Sequence, residues 1–340
     1  MKNRQPQSGD RRKSPAGVLP LPPGREVVPD FGLRTAAFSL IEILVVIALL
    51  SIIVLGLMAM FSQTQKAFRA GLSQTDVLAS GRLATDMLGR ELEQITPAYQ
   101  FGTNFDSPNF YAQIPYDAAT YNTPFSQPLP GNLTQRTNLI HDLFFVSKLN
   151  QDWVGIGYFV RANNPVNGTL SLSPFGVGNL YRFETNATVL SRRTLFNLFD
   201  EFKRARTNEN LVINGKIVNR ATKLAEGVVS FKVHPFDPSG MGISNQNSMN
   251  ISAGFVNYAN KTNLLGGEIE LYAFQSNAVP GAVELELGIL EDKPWQRFKA
   301  MPSFGGRPTA QEKYLTNQVG RVHLFRQRVA VRNLDTSAYP

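Results

Sequence analysis

From Ile43 to Phe61 apolar positions follow one another with Ser51 as the only polar side chain. At a helical rise of about 1.5 Å per residue, such a run crosses a hydrocarbon layer about 30 Å thick. The pattern therefore predicts a membrane-spanning helix, with a single carboxylate, Glu42, at its start. An ionised side chain at the bilayer centre costs about 2.5–3.5 kcal/mol on insertion scales, and less toward an end, so this acid asks for a role.

Beyond Phe61 no proline occurs until Pro97, and Phe68, Leu72, Leu83, Met87, Leu88, Leu92 and Ile95 recur at largely helical spacing. Lys66, Arg69, Gln74, Asp76, Arg82, Asp86, Arg90, Glu91 and Glu93 fill the other faces. The period predicts one helix from Phe38 to Thr96, its first half in lipid and its second half amphipathic and packed on a domain. Pro97 disfavours helical geometry at Thr96 and ends it. The stripe fits packing on the chain's own domain or on a partner helix, and period alone does not separate the two. Gly56, Gly71, Gly81 and Gly89 each cost about 1 kcal/mol relative to Ala in a helix interior, and mark either close approach or local flexibility.

Immediately before the apolar run stand Ala37, Phe38, Ser39, Leu40, Ile41 and Glu42. A small residue, Phe, three mostly apolar residues, Glu and a long apolar run form the signature of type IV prepilins and of the pseudopilins of type II secretion. The chain resembles that superfamily here, with Ala37 where the family usually has Gly and a leader richer in Pro than most. The resemblance implies cleavage between Ala37 and Phe38 by a membrane prepilin peptidase and N-methylation of the new Phe38 amine. It further implies assembly with other pilin or pseudopilin subunits on an inner-membrane platform. Physical reasoning gives Glu42 a matching role. The terminal amine of a processed neighbour neutralises a carboxylate that is costly to bury alone, which favours packed helices over isolated ones. A secretory signal peptide is too short to account for the run, whereas a plain signal anchor satisfies its hydropathy.

Past the helix, residues 98–138 are rich in Tyr, Asn, Thr, Pro, Gln and Ser without a clear period, and read as an extended loop. Strand patterns follow at Asp142–Leu149, Trp153–Val160, Leu180–Glu184, Val228–Phe236, Ile269–Phe274, Ala282–Leu290 and Arg321–Arg332. Val283, Leu285, Leu287 and Ile289 alternate with Glu284, Glu286 and Gly288, the period of a strand with one buried face. A short helix is expected at Ser191–Arg206, with Leu195, Leu198, Phe199 and Phe202 on one side. Asp237–Gly267, dominated by Asn, Ser and Gly, reads as a long loop. The expected class is α+β, a long N-terminal helix on a mostly antiparallel sheet, which is the pilin-like arrangement. Leu224–Val233 and Pro280–Leu287 are similar in pattern to the larger minor subunits, the J type of pseudopilin and the PilW-like minor pilins.

Charge sharpens the orientation. Of the net +8, half sits before Phe38, where Lys2, Arg4, Arg11, Arg12, Lys13, Arg25 and Arg34 outnumber Asp10, Glu26 and Asp30. Together with Pro15, Pro20, Pro22, Pro23 and Pro29, this composition argues for disorder, and 1–37 is expected to be a cytoplasmic leader. The positive-inside rule then sends the rest outward, so the expected organisation is leader 1–37, membrane half 38–61, amphipathic half 62–96 and an exported β-rich domain 97–340.

The search for other chemistry yields little. No cysteine is present, which excludes disulfides and thiolate chemistry. His141, His234 and His323 match no metal-binding spacing, and neither a phosphate-binding glycine loop nor a nucleophile elbow occurs. Gly155 and Gly157 lie inside an aromatic strand, where bulky neighbours explain them. Asp152, Glu268, Glu270, Glu284 and Glu286 have the oxygen chemistry of a calcium site without its spacing. Arg321, Arg326, Arg328 and Arg332 with His323 form the best candidate for a nucleic-acid contact, against which stands the use of edge-strand arginines to prevent aggregation. Nucleic acid is not the expected partner, no cofactor is expected and no enzyme activity is read. The expected function is that of a minor pilin or pseudopilin subunit with no catalytic residue. The competing reading is a membrane-anchored exported ligand- or DNA-binding domain outside any filament.

Overall fold

The computed structural model describes residues 39–100, 107–115, 125–129, 135–163, 170–172, 175, 177–188, 191–206, 210–213, 216–219, 221–243, 249–250, 255–261, 269–301, 309–335 and 337. Residues 1–62 and 63–340 form two compact units. Helix α1 (Leu40–Leu92) contributes to both. Its first strand successors are β1 (Phe110–Gln113), β2 (Phe125–Pro128), β3 (Gln135–Asn138), β4 (Asp142–Leu149), β5 (Asp152–Asn163), β6 (Leu170–Ser171) and β7 (Gly178–Ala187). Helix α2 (Arg192–Ala205) precedes β8 (Asn210–Ile213), β9 (Lys216–Asn219), β10 (Ala221–Phe236), β11 (Met249–Asn250), β12 (Phe255–Lys261), β13 (Ile269–Ser276) and β14 (Ala282–Leu290). Helices α3 (Asp292–Ala300) and α4 (Ala310–Thr316) then lead to β15 (Val322–Ala330).

The main sheet runs β11-β12-β13-β1-β4-β5-β7-β10-β14-β15, with β6 paired to β5, and its strands pair antiparallel. The expected α+β class, a long N-terminal helix before a mostly antiparallel sheet, therefore holds. All the expected strands are present. β4 and β14 keep the bounds read from the sequence, while β5, β7, β10 and β13 are longer.

Strand alternation sends side chains to opposite faces, and the two faces carry separate cores. Leu143, Phe145, Ile156 and Tyr158 join Leu88, Leu92 and Ile95 on the α1 side. Phe144, Phe159 and Phe183 join Leu195, Leu198, Phe199 and Phe202 of α2 on the other. Helix α2 begins where its cap residue allows: the Ser191 Oγ accepts from the Thr194 N–H at 3.1 Å. The close seat of α2 explains the glycines of β5, since a Cβ at Gly157 would lie 2.3 Å from the Phe202 ring.

β10 serves two neighbours in turn. It pairs with β7 from Ala221 to Val228 and with β14 from Val228 to Phe236. The register shifts on either side of Ala225, and Gly227 at φ 70° sits in the left-handed region that glycine tolerates. That irregularity curls the sheet and carries its last strands round toward α1.

Several segments differ from the sequence reading. β1, β2 and β3 occupy part of the expected loop 98–138, and β11 and β12 occupy part of the expected loop 237–267. β1 is a central strand: Phe110 is fully buried and meets Phe274 edge to face at 5.5 Å. Helix α1 ends at Leu92, short of Thr96; Ile95 and Thr96 instead bond to β4, the latter through its N–H to the Val146 carbonyl at 3.0 Å. Helices α3 and α4 were not expected, and their Trp295, Phe298 and Leu315 close a third small core with Val229 and Leu290.

Candidate functional site

The features read from the sequence converge on α1. Glu42 lies in its first turn, and its backbone N–H donates to the Ser39 carbonyl at 3.0 Å and to the Ser39 Oγ at 3.3 Å. The carboxylate thus sits at the positive end of the helix dipole, which favours its charge there. Ser51 returns its hydroxyl to the Ile47 carbonyl at 2.8 Å, so the one polar side chain of the run is satisfied inside the helix. Every residue from Leu40 to Phe61 is exposed within this chain, and the helix is long and apolar enough to cross a membrane. Ala37 and Phe38, the expected cleavage and methylation positions, lie outside the described residues.

The second half of α1 packs through small residues. With Gly81 as origin and about 100° per residue, Val77, Thr85, Leu88 and Leu92 fall within about 40° of it, all buried. Gly81 meets the Phe325 ring so closely that a Cβ would lie 2.2 Å from it, and at Gly89 a Cβ would lie 2.8 Å from the Gln327 amide. These two glycines permit close approach of helix to sheet. A Cβ added at Gly56 or Gly71 would meet no other part of the described chain within 4 Å.

This face corrects the expected stripe. Leu88, Leu92 and Ile95 are buried as expected, but Phe68, Leu72 and Leu83 are 66%, 50% and 68% exposed. With Ala79 they fall within about 40° of the direction opposite Gly81. The apolar positions of α1 thus make two lines, one of small residues and leucines toward the sheet and one of bulky residues toward solvent.

Polar contacts lock the seam. Tyr158 Oη donates to Glu91 Oε2, and Arg182 Nε and Nη2 donate to Glu91 Oε1 at 2.9 and 2.7 Å. Burial opposes the Arg182 charge, but the hydrogen bonds of Glu91 and Glu184 outweigh it and raise its pKa above the ordinary arginine value. At the helix end Arg332 pairs with Glu93, and Asn333 Nδ2 donates to the Ile95 carbonyl at 3.2 Å.

The other sequence candidates are dispersed or neutralised. Glu284 and Glu286 lie on β14, while Asp152 opens β5, with β7 and β10 between them. Glu268 lies outside the described residues, and among the described residues no group of three or more metal-binding side chains forms. Arg326 pairs with Glu286 at 2.6 Å and Glu284 at 3.4 Å, Arg328 lies 3.9 Å over the Phe236 ring, and His323 meets Glu291 at 3.3 Å. The C-terminal arginines therefore spend much of their charge on the domain itself. The structure brings together two histidines that are distant in sequence, His141 and His234, with ring centres 6.4 Å apart.

Sequence reasoning missed a buried ion triad. Arg161 donates to both oxygens of the fully buried Asp142, at 2.8 and 2.6 Å, and Arg206, just past α2, adds a third bond at 2.8 Å. Burial pushes the Asp142 carboxyl up, and the two guanidinium groups outweigh it and hold the group below its ordinary value. No motif spacing links these residues: the β4–β5 hairpin folds Arg161 back onto Asp142, and Arg206 arrives 64 residues after Asp142, just past α2.

A groove of about 550 Å³ runs beside α1, floored by Leu72, Val77, Leu224, Ile289 and Trp295. Arg69, Asp76, Lys223, Glu226 and Asp292 line it with both signs of charge, so it selects for neither. Scanned against protein-family models, curated proteins and solved structures, the chain matches none of them.

Proposed function

We propose that this chain is a minor subunit of a type IV pilus or of a type II secretion pseudopilus. In this reading a prepilin peptidase cuts between Ala37 and Phe38, the Phe38 amine is methylated, and α1 joins the helices of other subunits. The observation that carries the proposal is the division of α1. Its small-residue line is taken by the sheet, while the whole run from Leu40 to Phe61 and the line of Phe68, Leu72 and Leu83 stay about half exposed or more. A lone anchor has no need of the second line. Helices packed side by side in lipid and beyond it use both the bulky line and the paired charge of Glu42.

N-terminal mass spectrometry of the membrane-bound protein tests the first step: a methylated Phe38 terminus supports the reading, and an uncut Met1 or a cut elsewhere overturns it. Glu42→Ala tests the second. Membrane insertion stays intact, because one fewer charge enters the bilayer, and the amount of subunit recovered in sheared filaments falls. Unchanged recovery removes Glu42 from assembly and leaves an anchored exported domain as the remaining reading.

A further inference from the structure

β15 ends the main sheet, pairing with β14 in unbroken register from Leu290↔Val322 to Ala282↔Ala330. It carries neither proline nor bulge. Which backbone groups face β14 follows from two bonds: the Val331 N–H donates to the Gly281 carbonyl, and the Arg321 carbonyl accepts from the Glu291 N–H, both at 3.1 Å. Odd-numbered residues therefore face β14, and successive peptide groups alternate. The N–H and C=O groups of Leu324, Arg326, Arg328 and Ala330 point the other way. At its C-terminal end this second side is closed, where the Arg332 N–H donates to the Glu93 carbonyl at 3.2 Å. Along the rest of it, among the described residues, no backbone group meets these four.

Natural edges are usually blunted by charge, proline, bulges or a covering element. Here the candidate guards are drawn back over the sheet, Arg326 to Glu284 and Glu286 of β14 and Arg328 to Phe236 of β10. Phe325 and Gln327 are engaged by α1 on the opposite face. What remains is a straight, hydrogen-bonding edge of strand length.

We propose that this edge is a docking strand, and that its occupant is an extended acidic segment of a different polypeptide, added antiparallel or parallel as a further strand. Charge selects the occupant. From Arg321 to Arg332 the chain holds four exposed arginines and no acid; Arg326 is paired with Glu284 and Glu286 and Arg332 with Glu93, which leaves Arg321 and Arg328 without a carboxylate partner among the described residues. A second copy docked about a twofold axis through Gln327 is disfavoured, because that register sets Arg326 directly opposite Arg328, and like charges facing each other across a ladder repel. Backbone bonds to the even residues supply the attachment, and a glutamate beside Arg328, which has no carboxylate of its own, supplies the preference. This inference stands apart from the filament proposal and needs only the folded domain.

The test uses the full chain in detergent micelles with two synthetic peptides as long as β15, one alternating valine with glutamate and the other valine with lysine. The glutamate peptide slows amide exchange at Leu324, Arg326, Arg328 and Ala330, and binds at least about tenfold more tightly than the lysine peptide in fluorescence anisotropy. Arg326→Glu with Arg328→Glu reverses that preference. Arg328→Pro removes an outward N–H without breaking the β14 ladder, so it abolishes binding at an unchanged unfolding midpoint. Equal binding of the two peptides, unaltered exchange at the four amides, binding that survives Arg328→Pro, or dimerisation of the full chain through this edge would each overturn the proposal.

Discussion

At the scale of single residues, the glycines of α1 carry the most information. All four occupy helix interior positions and cost the helix equally on propensity, but only Gly81 and Gly89 have the sheet against them. Gly71 is a pure propensity cost, so Gly71→Ala stabilises the protein by about 1 kcal/mol. Gly81→Ala drives a methyl group into the Phe325 ring and destabilises by about 1–3 kcal/mol. Trp153 and Trp295 both lie in the folded domain, and their fluorescence during denaturant unfolding of the detergent-solubilised chain measures both changes. Equal effects at the two positions would remove the close-approach argument. Trimming Phe325 to Leu in the Gly81→Ala background restores part of the loss, because the clash lies in that ring.

At the scale of elements, the sequence told period but not partner. Leu88, Leu92 and Ile95 share a spacing with Phe68, Leu72 and Leu83, yet the first set is buried and the second is exposed. Apolar side chains alone suggested one stripe, and the face taken by the sheet is marked instead by Gly81, Ala84, Thr85 and Gly89, whose smallness lets the backbones approach. The prediction that follows separates the two lines. Leu88→Ala opens a cavity and costs about 2–5 kcal/mol of domain stability. Leu83→Ser stays within about 0.5 kcal/mol of the parent in the same unfolding experiment. Helix α2 was legible in full because its cap, its apolar side and its length agree, and β14 because nothing interrupts its alternation. β1 was hidden: its four residues, FYAQ, are too few to show a period, and only the neighbouring β13 and β4 give it a place. Of the candidate site, Glu42 and the apolar run could be read directly, whereas the seam around Glu91 required knowing that Tyr158 and Arg182 stand side by side on β5 and β7.

At the scale of the whole molecule, charge placement sets the range of pH over which the domain stays folded. Asp142 is held below its ordinary value in the folded state, so its contribution is complete above the unfolded carboxyl pKa, about 3.9, and is lost as pH falls below that. Tyr158 works in the opposite direction: burial, and then the Glu91 carboxylate, raise its pKa above 10.0. Its share is complete below pH 10.0 and shrinks above it, because the unfolded chain can ionise the phenol while the folded one resists. The expected stability profile is a plateau between these limits, with an acid flank carried by the β4–β5–α2 triad and an alkaline flank carried by the α1 seam. Asp142→Asn leaves the buried Arg161 and the half-buried Arg206 without their counter-charge, costs about 3–5 kcal/mol near neutrality and flattens the acid flank. Tyr158→Phe leaves the acid flank in place and flattens the alkaline one. Unfolding midpoints measured against pH for the parent and both variants decide the assignment, since a general effect of net charge would move both flanks in every protein.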